Sequence, residues 1–491
     1  MLYIRTLLIM LVSLYTSRII LQTLGVSDFG IYNIVGGFIA LFAFVNSAMT
    51  SATQRFLNYE MGKNNKAEVK RVFSMSLTTH ILLSILLFII LESFGLWFFN
   101  SKINIPIDRM PAARWVYQFS VLSCCVSMLR VPYQASIISY EKMSFYAYIS
   151  IVEVILKLGI VYSLLVINMD KLIAYSILVF IVTILINICY IIYCTKKFSS
   201  CHYKYFTDKK LFFKLISFSG WSMFGSMANA GANQGVSIII NIFFGVTMNA
   251  AFGIANQVRS AIYMFVSNFQ TAFNPQIVKS YAANDKQNYE SLVFRASRFS
   301  YFLLFIIALP VILCCQSILG IWLKEVPLHS ANFVQLFLIF LLIDALSAPL
   351  WISVQATGKI KNYQLIISSE IALNLPIIYL CFKLGYPPES ALVIRIIINF
   401  ITHITRLFYL KKHIDFPAFR YIKEVMIKCF LVSFLIIPIP LFIHFHMADL
   451  RGDLITILSS IIISIFVYYF FGLQKTEKQL IINSIHKIIK R

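Results

Sequence analysis

Charge is scarce in this 491-residue chain, and acid is scarcer than base. Asp, Glu, Lys and Arg make up 13% of residues, with 20 acidic against 42 basic. A charged share near one quarter is usual for a water-soluble protein, so a soluble fold of this length would leave its surface uncovered. The marks of soluble-enzyme chemistry are also missing. There is no Walker loop, no HExxH helix and no nucleophile elbow, and the nine cysteines include no CxxC. Those cysteines, among them Cys124–Cys125 and Cys314–Cys315, fall mostly within apolar stretches. They read as small apolar filler rather than as disulfides or metal ligands. The net charge of +22 alone would suit a nucleic-acid binder, but 59% hydrophobic and 15% aromatic residues do not. What the chain does have is long apolar runs, and these define a polytopic all-α membrane protein.

A helical span needs about 20 mostly apolar residues. Fourteen such windows fit, at about 2–23, 31–53, 73–98, 113–137, 146–167, 172–194, 212–243, 249–273, 293–322, 332–354, 363–384, 389–410, 425–446 and 453–472. The runs are continuous rather than alternating, which excludes a membrane β-barrel. Counting cations in the alternate loops puts 28 on one side and 6 on the other. By the positive-inside rule both termini then lie in the cytoplasm, with most of the +22 facing anionic lipid. The N-terminal run is too long for a cleaved signal, and no A-x-A site follows it. The longest outer loop, about 100–112, leaves no room for an outer catalytic domain. That argues against a membrane-embedded enzyme, and no enzymatic activity is expected.

An internal repeat organises the spans. Pro132–Tyr162 aligns without gaps on Pro349–Tyr379, with identical pairs Pro132/Pro349, Ser136/Ser353, Lys142/Lys359, Tyr146/Tyr363, Glu153/Glu370 and Tyr162/Tyr379. Looser matches join Leu24-Gly25-Val26 to Phe244-Gly245-Val246, and Asn58-Tyr59 to Ser280-Tyr281. Six spans per repeat is an even number, so both halves enter from the same side. The expected architecture is a pair of pseudo-symmetric six-helix lobes, 1–195 and 212–411, joined by a cytoplasmic linker, 196–211. Spans 13 and 14 (412–472) and a tail (473–491) follow. In the tail, Ile481, Ile482, Ile485, Ile488 and Ile489 share one face, as in a short interfacial helix.

Polar residues inside the spans are the candidate site. Span 7 carries Ser222, Ser226, Asn229, Asn233 and Ser237 on one face; span 8 carries Asn249, Asn256, Ser260, Tyr263, Ser267 and Thr271. Such stripes serve either as glue between helices, helped by Gly231-x-x-x-Gly235, or as the wall of a watery cavity. Arg18 in span 1, Arg55 at the end of span 2 and Arg259 in span 8 are intramembrane cations, suited to phosphate oxygens. Arg395 and Lys383, nearer span ends, read as snorkelling. Three acids are candidates for coupling to H+ or Na+: Asp344, mid-span without a local cation; Glu370; and Glu153, whose i,i+4 partner Lys157 could instead neutralise it. The pair His444-Phe445-His446 is too sparse for a metal site by itself. No other cofactor is expected.

Ser17-Arg18, then Leu24-Gly25-Val26-Ser27-Asp28-Phe29-Gly30-Ile31-Tyr32 and Ala52-Thr53-Gln54-Arg55-Phe56, resemble the opening of polysaccharide-repeat flippases. These form the O-antigen and capsule branch of the multidrug/oligosaccharidyl-lipid/polysaccharide (MOP) exporter superfamily. The resemblance covers nearly the whole chain and implies a MATE-like fold. It also implies alternating-access translocation of undecaprenyl-pyrophosphate-linked oligosaccharide, with membrane lipids and polysaccharide assembly proteins as partners. Related lipid II flippases carry cavity arginines in spans 1, 2 and 8, similar in place to Arg18, Arg55 and Arg259, with sugars expected along Asn229, Asn233, Asn256 and Tyr263. The chain departs from relatives in entering span 1 almost at Met1. It also departs from the drug-exporting branch in having no acid in span 1, which disfavours a cation-coupled multidrug antiporter.

Overall fold

A computed structural model of the chain describes residues 43–97, 107–206, 208–323, 326–447, 449–473 and 477–478. It also describes positions 8, 9, 12, 15, 16, 19, 20, 23, 24, 28, 31, 32 and 35. Arg18 and the isoleucine face of the tail lie outside the described residues. No strand occurs among those that are described.

Ten helices among the described residues are long and apolar enough to cross a membrane. In chain order with their neighbours the elements are α1 (Ala43–Gly62), α2 (Lys66–Gly95), α3 (Met110–Ser139), α4 (Met143–Ser163), α5 (Lys171–Lys197) and α6 (Lys209–Ala282). Next come α7 (Lys286–Leu313), α8 (Cys315–Trp322), α9 (Ser330–Thr357), α10 (Lys361–Lys383), α11 (Ser390–Ile414), α12 (Ala418–His446) and α13 (Leu450–Gly472). The ten coincide with the third to sixth and ninth to fourteenth expected spans. Their outward faces carry large exposed apolar side chains such as Ile85, Leu86, Phe434 and Phe442, as hydrocarbon contact requires. The seventh and eighth expected windows fall on the two arms of α6, which is not among those ten helices and breaks at Gly245 with φ 78° and ψ −173°. Only glycine enters that backbone region without strain.

The chain divides into two compact units. Unit 1 is Met1–Met227 with Val278–Asp285 and Gly358–Lys361; unit 2 is Ala228–Ile277, Lys286–Thr357 and Asn362–Arg491. In unit 1, α3 packs on α2 and α5, and α4 on α5; in unit 2, α9 packs on α7 and α11, and α10 on α11. The internal repeat thus reappears as a repeated set of neighbours, and it extends to single hydrogen bonds. Pro132 and Pro349 both sit inside helices, and Ser136 and Ser353, four residues on, each donate to the proline carbonyl at 2.9 Å. Five residues later the chain turns through positive φ at Glu141 and at Gly358.

The turns after α1 and α6 are also alike. Asn64 and Asn284 both take φ near 55°, at 55° and 57°. Each is closed by the paired bonds of a Schellman motif: Asn65 N–H to Glu60 O and Asn64 N–H to Met61 O in one, Asp285 N–H to Ser280 O and Asn284 N–H to Tyr281 O in the other. Those asparagines set the structural register two residues away from the one suggested by pairing Tyr59 with Tyr281. Gly62, in the last turn of α1, is needed for a close approach. A Cβ there would lie 2.3 Å from the Lys279 carbonyl oxygen and 2.8 Å from Ala282 Cβ.

The basic linker is docked rather than loose. The backbone N–H of Lys204 donates to Ser74 Oγ at 3.1 Å, the hydroxyls of Tyr203 and Thr78 lie 3.2 Å apart, and Arg71 pairs with Asp208 at 2.8 Å. At one end of unit 1, Arg109 bridges Asp28 and Asp170, and Asp170 also caps α5 through Leu172 N–H. Burial is the largest single influence on the Asp170 carboxyl and would raise it, but the Arg109 hydrogen bond and charge together with the backbone N–H groups of Ile173 and Leu172 outweigh it and hold the group below the usual carboxylate range. Arg298 is buried within α7 and paired with Glu477. Its acid partner is 179 positions away, beyond any local charge pattern.

Candidate functional site

The polar stripes of α6 divide by chemistry. Their hydroxyls largely turn back on their own helix: Ser226 to Ser222 O, Ser260 to Asn256 O and Thr271 to Ser267 O. A hydroxyl satisfied in this way adds little to a site. The amides reach outward. Asn256 Oδ1 accepts from Arg259 Nε at 2.9 Å, and Asn233 Oδ1 accepts from Arg395 Nη2 at 2.6 Å. Across the Gly245 break, Ser237 donates to Asn249 Oδ1 at 2.7 Å, tying the two arms of α6 together. The predicted glycine pair separates as well. Gly235 packs so closely on Leu375 that a Cβ would meet its side chain at 2.6 Å, whereas nothing lies within 4 Å of one at Gly231.

Arg395 is the residue that sequence reasoning missed. Near a span end it looked like a snorkelling cation, yet it is 6% exposed. Its guanidinium lies 5.1 Å from the Phe340 ring centre and 5.7 Å from that of Phe337. Arg259 lies over the same Phe337 ring at 5.4 Å. Two cations against one ring act on each other electrostatically and repel, so an anion near both would be favoured. Asp344, half-buried on α9, supplies part of that charge: Arg406, Arg259 and Arg395 all act on it electrostatically. Tyr263 belongs to the same group, within range of Asp344, Arg259 and Arg406. Arg406, also absent from the sequence candidates, hydrogen-bonds Tyr363, while its Nε is buried without a hydrogen-bond partner. Unit 2 therefore brings three guanidinium groups within electrostatic range of one carboxylate, with an excess of positive charge and an uncommitted donor. Asn229 is exposed one turn before Asn233, whose Nδ2 donates to its carbonyl at 2.9 Å.

The other candidate acids have different surroundings. Glu370 Oε1 accepts from Thr405 at 2.8 Å, and its Oε2 is buried without a hydrogen-bond partner. Glu153 in unit 1 meets Lys157 at 2.8 Å and Arg130 at 3.4 Å, so its charge is held by two cations. Arg55, also in unit 1, is 4% exposed. Its guanidinium lies 4.6 Å from both the Phe56 and Tyr59 rings, and the turn at Gly358 closes over it. Gly358 has φ 74°, and a Cβ there would approach Arg55 Nη2 to 2.6 Å, so backbone conformation and contact both call for glycine.

The same architecture occurs in solved transporters. A MOP-superfamily transporter from Pyrococcus furiosus, described as having a binding pocket of reverse polarity that suggests a different function, matches with a TM-score of 0.69 and 10% identity. The match covers 84% of this chain and 94% of that one. A multidrug-resistance MATE transporter in an outward-facing conformation matches at 0.69 and 12% over the same shares. A mutant MATE transporter of Vibrio cholerae matches at 0.67 and 16%, again over 84% and 94%. Likeness at these identities speaks for the fold. No curated protein sequence matches the chain significantly. A family model described as polysaccharide biosynthesis protein, however, matches residues 1–281. With more than half of its length matched, this multi-pass membrane protein of MATE-like fold belongs to the polysaccharide biosynthesis protein family.

Proposed function

We propose that the chain is a flippase, carrying an undecaprenyl-pyrophosphate-linked oligosaccharide across the bacterial inner membrane by alternating access for O-antigen or capsule assembly. Membership of a polysaccharide biosynthesis family supports a lipid or oligosaccharide substrate, and the MATE-like fold supports transport. The observation that carries the reading is the buried arginine group of unit 2, with Arg259 and Arg395 against one Phe337 ring and Arg406 Nε buried without a hydrogen-bond partner, within electrostatic range of Asp344. A pyrophosphate diester is a compact anion whose oxygens match guanidinium forks, and desolvation strengthens that match. Asn229, Asn233, Asn256 and Tyr263 offer hydrogen-bonding groups to sugars. Asp344 is the coupling carboxylate in this reading. When ionised it competes with the substrate for the arginines, and H+ or Na+ at Asp344 relieves that competition. Glu153, already held by two cations, is the weaker choice. A cationic drug would meet the arginines unfavourably, which counts against the multidrug antiporter.

The test is made in cells lacking the gene and complemented with Arg259→Gln, Arg395→Gln or Arg406→Gln at matched protein levels. Each lost charge-assisted bond is worth about 1.5–3 kcal/mol, so each variant should lower lipid-linked glycan export by roughly 10- to 100-fold. Glycan should accumulate on the cytoplasmic face. Normal export by all three variants would remove the site. Accumulation of peptidoglycan precursor instead of a polysaccharide repeat would assign the chain to lipid II.

A further inference from the structure

Cys314, His444 and Asp453 bring a thiol, an imidazole and a carboxylate together, with one ligand atom from each lying within 4.8 Å of the others. The three come from separate elements. Cys314 occupies the break between α7 and α8, His444 the last turn of α12 and Asp453 the first turn of α13. Cys314 is 1% and Asp453 8% exposed. The thiol lies 3.7 Å from the Asp453 backbone carbonyl, too long for more than a weak bond. His444 Nδ1 is buried without a hydrogen-bond partner and stands 3.6 Å from Asp453 Oδ1. That separation exceeds a hydrogen bond, but it suits two vertices of a coordination tetrahedron. Zinc bonds of about 2.0–2.3 Å place neighbouring donors roughly 3.4–3.6 Å apart.

We propose that Cys314, His444 and Asp453 form a zinc site that staples the α12–α13 hairpin to the end of α7. One sulfur, one nitrogen and one oxygen donor favour Zn2+ over the oxygen-seeking Mg2+ and Ca2+, and the carboxylate disfavours Cu+. The fourth position is left to water, on the partly exposed side of His444. Binding converts the thiol to a thiolate, and its proton leaves to solvent. Gly452 already lies close against Met447, where a Cβ would be 2.0 Å from the carbonyl oxygen, so the metal orders side chains beside an existing close contact. His446 takes no part. Its Nδ1 bonds the Phe442 carbonyl at 3.0 Å, and its ring stacks on Phe442 at 4.0 Å.

The experiment uses the full-length untagged protein in detergent, stripped with chelator, with Zn2+ or Co2+ alone as probe. The wild type should take up one Zn2+ per chain and give the thiolate-to-metal charge-transfer band of tetrahedral Co2+. Its thermal midpoint should rise on adding Zn2+. Cys314→Ser should abolish the band. His444→Gln, at a partly exposed position that spares the fold, should weaken Zn2+ binding by at least ~10-fold. Both should lose the zinc-dependent thermal shift, and His446→Gln should keep all three properties. The proposal fails if the wild type binds no stoichiometric Zn2+. It fails equally if the band survives Cys314→Ser, if His444→Gln binds as the wild type does, or if His446→Gln loses the site.

Discussion

Breaking the Arg298–Glu477 pair should destabilise the protein far more than deleting it. The two side chains are 2% and 1% exposed, and Arg298 Nε and Nη1 have no hydrogen-bond partner. The carboxylate is therefore the main compensation for a desolvated guanidinium. Lys428 adds a second positive charge within electrostatic range of both, so loss of the acid leaves two cations facing each other. Removing one partner of a buried pair costs about 3–5 kcal/mol, whereas apolar replacement of both is often neutral or better. Glu477→Leu should fall at the upper end of that range. Glu477→Gln, which keeps a dipole for the arginine, should fall near 3 kcal/mol or roughly below. At about 2 °C per kcal/mol for a large domain, these become shifts of roughly 6–10 °C in thermal midpoint. The assay is thermal unfolding of the four members of a double-mutant cycle, wild type, Arg298→Met, Glu477→Leu and the double variant, in one detergent. The double variant should recover most of the loss, giving a coupling of at least ~2 kcal/mol. If it instead equals the sum of the single variants, the pair is not the source of the stability and the reasoning is refuted.

Gly62→Ala should cost about 1–3 kcal/mol by overpacking, because its new Cβ meets the Lys279 backbone at 2.3 Å. Gly253→Ala, which meets nothing within 4 Å, should be neutral or stabilising by up to about 1 kcal/mol; midpoints of the two variants that coincide would contradict this. Gly358→Ala should be destabilised by its positive φ and its approach to Arg55 together, and trimming Arg55 to Lys should recover the second part only. The Asp170 carboxyl is held below its ordinary value in the folded chain. Its contribution is therefore complete above the unfolded value of about 4 and is lost as pH falls through the depressed folded one. Asp170→Asn should lower the neutral-pH midpoint and flatten its decline in acid, and an unchanged acid limb would count against the bridge to Arg109.

The spans were legible because hydropathy acts locally: twenty apolar residues must be helical and buried in lipid whatever their neighbours are. The repeat was legible where side chains perform the same local task twice, as Pro132/Ser136 and Pro349/Ser353 do. It was misread by two residues at the α1 and α6 turns. There the backbone aligns on Asn64 and Asn284, whose left-handed conformation closes each turn, and the nearby tyrosines do not bind the register. Part of the candidate site was also visible in sequence, since the helical period puts Asn229, Asn233 and Asn256 in stripes along α6, and Arg259 stands out beside them as an intramembrane cation.

The sequence by itself determined that this is an all-helical membrane protein with a duplicated core, cations concentrated in alternate loops and polar stripes on two spans. Each of those features depends on residues close together in the chain. Only the tertiary structure decided which charges are partners. Arg395 finds Asn233 from 162 positions away, Arg298 finds Glu477, and Asp344 comes within range of three arginines. Cys314 likewise meets His444 and Asp453. A charge in a low-dielectric interior must be met by whatever group the fold brings near, and helix packing chooses that group, not the order of the chain.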